Sequence, residues 1–266
     1  MKAIFTILLA VCCAAVLIAG NLHWKGKIAG FGSEDADASA GAAVDSAGEG
    51  KGSSGSLSGE AEILLAKAAG WPEKSVEVFR ERLEEGAPFS ILIAGSDALG
   101  EGEGSWPEMV QSALGEAYGV AVSVEVKAYE MNSMEFVTQG LQEELPAADM
   151  VILEPFTLID NGDGVVLQSL DNLKVITEAV TSRNEDSTFV LQPPHPLYDA
   201  TYYPLQVEDM KAFAAEQGIA YLDHWSAWPA QDNKDLLSYL SDDQNQPSAE
   251  GHKIWAEFVV DYLVKE

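Results

Sequence analysis

Pro88-Phe89-Ser90-Ile91-Leu92-Ile93-Ala94, followed at once by Gly95-Ser96-Asp97-Ala98-Leu99-Gly100, is the stretch on which the fold turns. Its first seven residues are mostly apolar, without polar alternation and too few for a helix. They describe a short strand buried on both faces. The turn beginning at Gly95 ends the run. A helix start follows at Ser105, with Pro107 in the first turn and Glu108 placed to complete a capping box. That helix is expected to reach about Tyr118.

The same alternation extends in both directions. Helices are expected at 57–69 and 74–85, ahead of the first strand, and further strands at 120–126, 149–153, 187–191 and 219–222. Between them, Asn132 with Glu135 marks a helix start, and helices are expected at 166–182, 204–216 and 249–264. The last carries Ile254, Trp255, Phe258, Val259, Tyr262 and Leu263 on one apolar stripe. Five strands alternating with helices predict an α/β fold: three layers, α/β/α, around a five-stranded parallel sheet. Ligands of such sheets bind beyond the C-terminal ends of the strands. The loops after Ala94, Val126, Leu153, Leu191 and Leu222, and the one before the last helix, are therefore where chemistry is expected.

Composition narrows the function classes. The 266 residues hold 43 acidic and 15 basic side chains, a net charge of −28. Such a surface repels nucleic-acid phosphates, so nucleic acid is excluded as a partner. The only cysteines are Cys12 and Cys13, which leaves the folded domain without a disulfide, a thiolate nucleophile or a cysteine-ligated zinc. Lys2 precedes an apolar run of about 18 residues ending at Gly20, enough to cross a hydrocarbon core. No small-x-small cleavage site follows, and Trp24 with Lys25 reads as an interfacial anchor. The expected organisation is a signal anchor over 1–28, with a cleaved signal peptide as the alternative. A flexible Gly/Ser/Ala-rich acidic linker over 29–58 and a single domain over 59–266 follow. The domain is expected outside the cell membrane, attached through the N-terminal helix. Nothing in the sequence sets an oligomeric state.

Three loops carry the candidate chemistry: Gly95-Ser96-Asp97-Ala98-Leu99-Gly100, the segment from Glu154 to Gly162, and the segment from Asp242 to His252. A Gly-x-Ser turn after the first strand, an Asn-Asp pair after the third and an Asp-x-x-His-Pro block before the last helix are features of the SGNH (GDSL-type) ester hydrolases. From about Pro88 onward the chain resembles that family. The stretches Gln192-Pro193-Pro194-His195-Pro196, Tyr202-Tyr203-Pro204 and Leu222-Asp223-His224-Trp225 look like a branch found in Gram-positive bacteria. The resemblance implies a flavodoxin-like SGNH fold and hydrolysis of carboxylic esters, such as acyl or acetyl groups of cell-envelope glycans. No cofactor is expected: Gly95, Gly100, Gly102 and Gly104 lack the Lys-Ser/Thr of a phosphate loop.

The resemblance also shows where this chain departs from the family. Asp97 stands at the position of the nucleophilic serine, with Ser96 one residue early. Ile159 stands where the oxyanion-hole asparagine belongs, followed by Asp160 and Asn161, and Gln246 occupies the position of the general-base histidine, three residues after Asp243. A serine hydroxyl needs a base to take its proton, and an oxyanion needs aimed donors.

One reading keeps catalysis, with Ser96 as nucleophile, His195 or His252 as base, Asp243 or Asp223 orienting it, and Gly95 in the turn. A second has Asp97, Asp160 and Asp243 converge, as a carboxylate nucleophile or around a divalent cation, although no metal site is expected from so acidic a composition. Tyr202, Tyr203 and Trp225 are candidates to wall a substrate cleft. The alternative function is a catalytically degenerate SGNH-fold protein that binds a glycan, an acyl ligand or a protein partner without turnover.

Overall fold

The computed structural model describes residues 58–266. The expected anchor and all but the end of the expected linker lie outside the described residues. Among the described residues no helix is long and apolar enough to cross a membrane.

The elements are α1 (Gly59–Lys67), α2 (Glu73–Glu85), β1 (Phe89–Ser96), α3 (Trp106–Tyr118), β2 (Val122–Tyr129), α4 (Ser133–Thr138) and β3 (Met150–Leu153). They continue with α5 (Thr157–Asp163), α6 (Ser169–Arg183), β4 (Thr188–Leu191), α7 (Tyr203–Gln217), β5 (Ala220–Tyr221) and α8 (Ala249–Leu263). All five strands run parallel in one sheet, in the order β2-β1-β3-β4-β5. This is the three-layer α/β/α arrangement the alternation implies.

Side chains alternate across each strand, and the two faces build two cores. Ile91 and Ile93 of β1, Met150 and Ile152 of β3 and Val190 of β4 pack with α1, α2, α3 and α8. Leu92 and Ala94, Val151 and Leu153, and Phe189 and Leu191 pack against α4, α6 and α7. Both faces are covered, which is why these strands read as continuous apolar runs. At the N-terminal end of β3, Asp149 is buried and accepts from Arg82 at 2.9 Å and from the Ser90 backbone at 2.8 Å. Burial opposes its charge, but the bonds from Arg82 and Ser90 hold its carboxyl below the usual range.

Three local readings need correction. The helix expected at 166–182 begins later: Val166–Gln168 is a 3-10 turn, and α6 starts at Ser169. The loop expected after β3 contains α5, which ends where Gly164 adopts φ 73°. Its glycine and polar content hid it, because no apolar periodicity marks a two-turn helix. At Ser105 the helix begins as expected, but the Ser105 side chain makes no cap bond. The Trp106 N–H donates instead to His252 Nδ1 of α8 at 3.3 Å. Trp106 and Trp255 stack at 4.8 Å between α3 and α8, and this packing brings His252 over the α3 terminus. The Asn132–Glu135 capping box is present.

The first turn of α8 is seated by a glycine. A Cβ on Gly251 would overlap the Tyr239 carbonyl oxygen and press on Pro247 and Trp228 at 3.0 Å. The contact with backbone leaves little room to relax. Gly251→Ala is therefore expected to lower unfolding stability by about 1–3 kcal/mol, measured by urea denaturation. An unchanged midpoint would show that this junction yields freely.

Candidate functional site

The order β2-β1-β3 reverses the direction of winding between β1 and β3, and a crevice at that switch is the usual ligand site of an open parallel sheet. Here the crevice is occupied by the protein's own carboxyl group. Ala94 pairs with Leu153 in register, so Gly95 and Glu154 lie side by side just beyond. A Cβ on Gly95 would stand 2.7 Å from Glu154 Cβ and 2.8 Å from its Oε2. Only a glycine leaves room for the glutamate to lie across β1. In that pose Glu154 Oε2 accepts from the Ser96 N–H at 2.7 Å and from the Ser96 hydroxyl at 2.6 Å. Both residues are fully buried. The Ser96 oxygen also accepts from the Ala98 N–H at 3.3 Å, which closes the turn into the 3-10 segment Asp97–Leu99.

Ser96, expected as a nucleophile, is held by this arrangement. Its hydroxyl is committed to a carboxyl group, has no solvent access, and is hydrogen-bonded to no histidine nitrogen. His195 is fully buried after β4, with Nε2 against the Gln244 carbonyl at 2.9 Å. His252 accepts from Trp106. His224 lies between the Pro193 carbonyl at 2.7 Å and the Trp228 indole N–H at 3.0 Å, stacked on Trp255. Each ring is held by structural partners. Asp223, a candidate to orient a base, instead pairs with Lys211 at 2.5 Å.

Asp97 and Gln246 do meet. Gln246 Nε2 donates to the Asp97 carbonyl at 2.8 Å. The contact is an amide on a backbone oxygen, and neither partner moves a proton. The Asp97 carboxyl is pushed up by burial and by the neighbouring charges of Glu130 and Glu101. Asp243 is exposed and serves its own loop, accepting from Ser241 at 2.7 Å and from the Asn245 backbone and side chain at 3.2 and 3.1 Å.

Asp160 is buried in a different place, accepting from Ser133 and from the Ser169 hydroxyl, and so ties α4 and α6 to α5. Asn161 accepts from Gln206 at 3.0 Å, and Ile159 is half-buried on the same short helix. Asp97, Asp160 and Asp243 do not converge: among the described residues no three His, Cys, Asp or Glu side chains are grouped to hold a metal ion. Tyr203 is buried, its hydroxyl donating to the His195 carbonyl at 3.1 Å, so it cannot wall an open cleft. Tyr202 is exposed, and Trp225 is half-buried with its N–H on the Pro194 carbonyl.

Two features concentrate at this edge. Buried polar atoms without a hydrogen-bond partner include Asp97 Oδ1, Glu154 Oε1, Gln192 Nε2 and His195 Nδ1, on residues that follow the C-terminal ends of β1, β3 and β4. Native proteins leave few such atoms, and each asks for a reason. Among the described residues, the three non-glycines with positive φ are Phe156 (64°), Asp199 (55°) and Gln244 (59°), all on loops at this edge. Strain of this kind collects at functional or switching segments.

No family model and no curated protein matches the sequence. Solved structures do match. A protein assigned to the G-D-S-L lipolytic family from Desulfitobacterium hafniense DCB-2 superposes with a TM-score of 0.50 at 20% identity, over 65% of this chain and 99% of its own. A GDSL-like lipase structure from Parabacteroides merdae ATCC 43184 gives 0.54 at 11% identity, over 66% of this chain and 95% of its own. The fold is that of the SGNH hydrolases. At these identities the match speaks for architecture alone.

Sequence reading missed Glu154. Its signal was present: a carboxylate directly after the apolar run of β3 and before Pro155, beside a strand that ends in glycine.

Complete burial pushes the Glu154 carboxyl up to about 7 from 4.5, against the hydrogen bonds from Ser96. Among the described residues no lysine or arginine pairs with it. Burial moves the histidines the other way, His195 down to about 4 and His224 to about 3. Between pH 4.5 and about 7 the unfolded chain has released the Glu154 proton and the folded one has not, so stability falls as pH rises through that window. The histidines act oppositely: their contribution is lost as pH falls below 6.5 toward their folded values. Glu154→Gln removes the first effect. Relative to the wild type, the variant should gain about 3 kcal/mol between pH 4.5 and 7 in urea denaturation. A difference that is constant with pH would mean that Glu154 is already ionised in the fold.

Proposed function

We propose that this domain is an SGNH-fold module that binds an uncharged glycan or acyl ligand, or a protein partner, at the C-terminal edge of its sheet without turning over esters. The observation that carries this reading is the Gln246–Asp97 contact at 2.8 Å. At the meeting point where the family places a base and a hydroxyl, this chain places an amide and a carbonyl. Glutamine cannot accept the proton of an attacking hydroxyl, and general-base catalysis of that kind is worth about 10²–10⁴ in rate. Ser96 does not replace the lost hydroxyl, because Glu154 holds it.

Glu101 and Glu130 near Asp97 would repel an anionic ligand and tolerate a neutral one. We place the domain outside the cell membrane, held by the apolar segment near the N-terminus. That placement rests on sequence pattern alone.

A second reading, hydrolysis of carboxylic esters such as acyl groups on envelope glycans, is favoured by the same contact from the other side. The scaffold still brings positions 97 and 246 together, so a short path back to catalysis exists. Assay of a short-chain p-nitrophenyl ester separates the two. The wild type should show no turnover above background, and the Asp97→Ser/Ile159→Asn/Gln246→His protein should exceed it by about a hundredfold. Wild-type turnover that disappears in Ser96→Ala would overturn the binding reading and make Ser96 a displaced nucleophile.

A further inference from the structure

We propose that the free edge of β2 is a pairing surface for a second copy of this chain, which adds its own β2 antiparallel and joins two five-stranded sheets into one. β2 stands at the end of the strand order and, among the described residues, pairs with β1 alone. It runs for 8 residues, whereas β5 at the opposite edge has 2. Such an edge is a template for another strand, and proteins usually blunt it with a charge, a proline or a bulge. β2 holds no proline and pairs with β1 in unbroken register. Its charged side chains are Glu125 and Lys127, which meet within the strand at 2.9 Å. The Val124 carbonyl accepts from the Gln111 side chain at 2.8 Å. A carbonyl oxygen has two lone pairs, so this bond leaves room for a second donor.

The side-chain pattern selects the occupant. When two identical strands pair antiparallel about a two-fold axis normal to the sheet, positions equally spaced from the axis face each other. With the axis at Val126, Glu125 faces the partner's Lys127, and Lys127 faces the partner's Glu125. Opposite charges facing across strands stabilise a pair, and like charges destabilise it. Moving the axis one residue either way sets Glu125 or Lys127 against its own copy. A lysine alone would guard the edge, but with a glutamate two residues before it the strand is complementary to itself. The other face agrees with this register. Val124, Val126 and Ala128 are half-buried and pack on the face covered by α3 and α8. Val126 then meets its own copy, and Val124 meets the partner's Ala128. Two exposed apolar side chains flank the strand, Val120 (80% exposed) before it and Met134 (44%) after it. Antiparallel pairing carries the start of one strand to the end of the other, so Val120 comes level with the partner's Asn132, two residues from Met134. This edge lies at the side of the sheet, apart from the loops beyond its C-terminal end, and the pairing does not rest on the binding reading above.

The net charge of −28 opposes association at low ionic strength, so the test is run at about 0.15 M salt, where charges are screened beyond about 8 Å. One strand edge is small against the roughly 1,600 Å² of a standard interface, so the dimer is sought from about 1 μM to about 1 mM protein. Sedimentation equilibrium of the full chain in density-matched non-ionic detergent should show a monomer–dimer equilibrium over that range. Lys127→Glu should weaken the dimer by about tenfold or more, because both facing pairs become like-charged. Glu125→Lys/Lys127→Glu should restore it, because the exchange keeps opposite charges opposed. Both side chains are about half exposed, so neither change threatens the fold. Register is read by mixing chains of two nitrogen isotopes and coupling carboxylates to lysines with a carbodiimide. A peptide joining Glu125 of one isotope to Lys127 of the other is expected. A monomer at every concentration, a dimer indifferent to Lys127→Glu, no recovery in the exchanged variant, or coupling of this pair only within one isotope would overturn the proposal.

Discussion

A single buried carboxyl group governs the edge of this sheet where function is expected. Glu154 follows β3 and reaches across Gly95 to take both hydrogen-bonding groups of Ser96. Placing a carboxyl there without a cation is costly in a water-free interior unless it stays protonated or well bonded. The fold meets that cost in part, with two strong bonds on Oε2 and none on Oε1. The result is that Glu154 holds Ser96 in the turn at the end of β1, and the same turn presents the Asp97 carbonyl to Gln246.

The consequence for chemistry follows from which group is free. A serine esterase keeps its hydroxyl exposed and within reach of an imidazole, with donors aimed at the developing oxyanion. In this protein the hydroxyl at the end of β1 is sealed, the nearby imidazoles are held by carbonyls and an indole, and Gln246 binds a backbone oxygen. The fold matches that of esterase structures, while the polar groups at this edge are engaged with one another. These contacts are not mutually inconsistent: a glutamine that donates to a carbonyl and a serine that donates to a glutamate are both satisfied as structure.

The layered fold was legible in the sequence because burial on both faces of a parallel sheet writes itself as short apolar runs, such as 149–153 between polar turns. The two packed faces follow from that pattern, whereas the strand order β2-β1-β3-β4-β5 depends on pairing between distant segments. What the sequence did not disclose was contact between distant residues. Nothing local distinguishes the His252 that caps α3 from a histidine that serves as a base, or the buried Tyr203 from the exposed Tyr202 beside it. The short helix α5 was missed because two turns rich in Asp, Asn and Gly carry no periodic signal. Glu154 was passed over because its role exists only once β1 and β3 lie side by side.

The most direct test of this account is covalent labelling with a fluorophosphonate probe, read by intact mass and peptide mapping, under conditions that label a control serine esterase completely. With Ser96 sealed by Glu154 and no imidazole to activate it, the account predicts no adduct on Ser96. A stoichiometric adduct mapped to Ser96 would show that the crevice opens and that an activated nucleophile resides within it, contradicting the central claim.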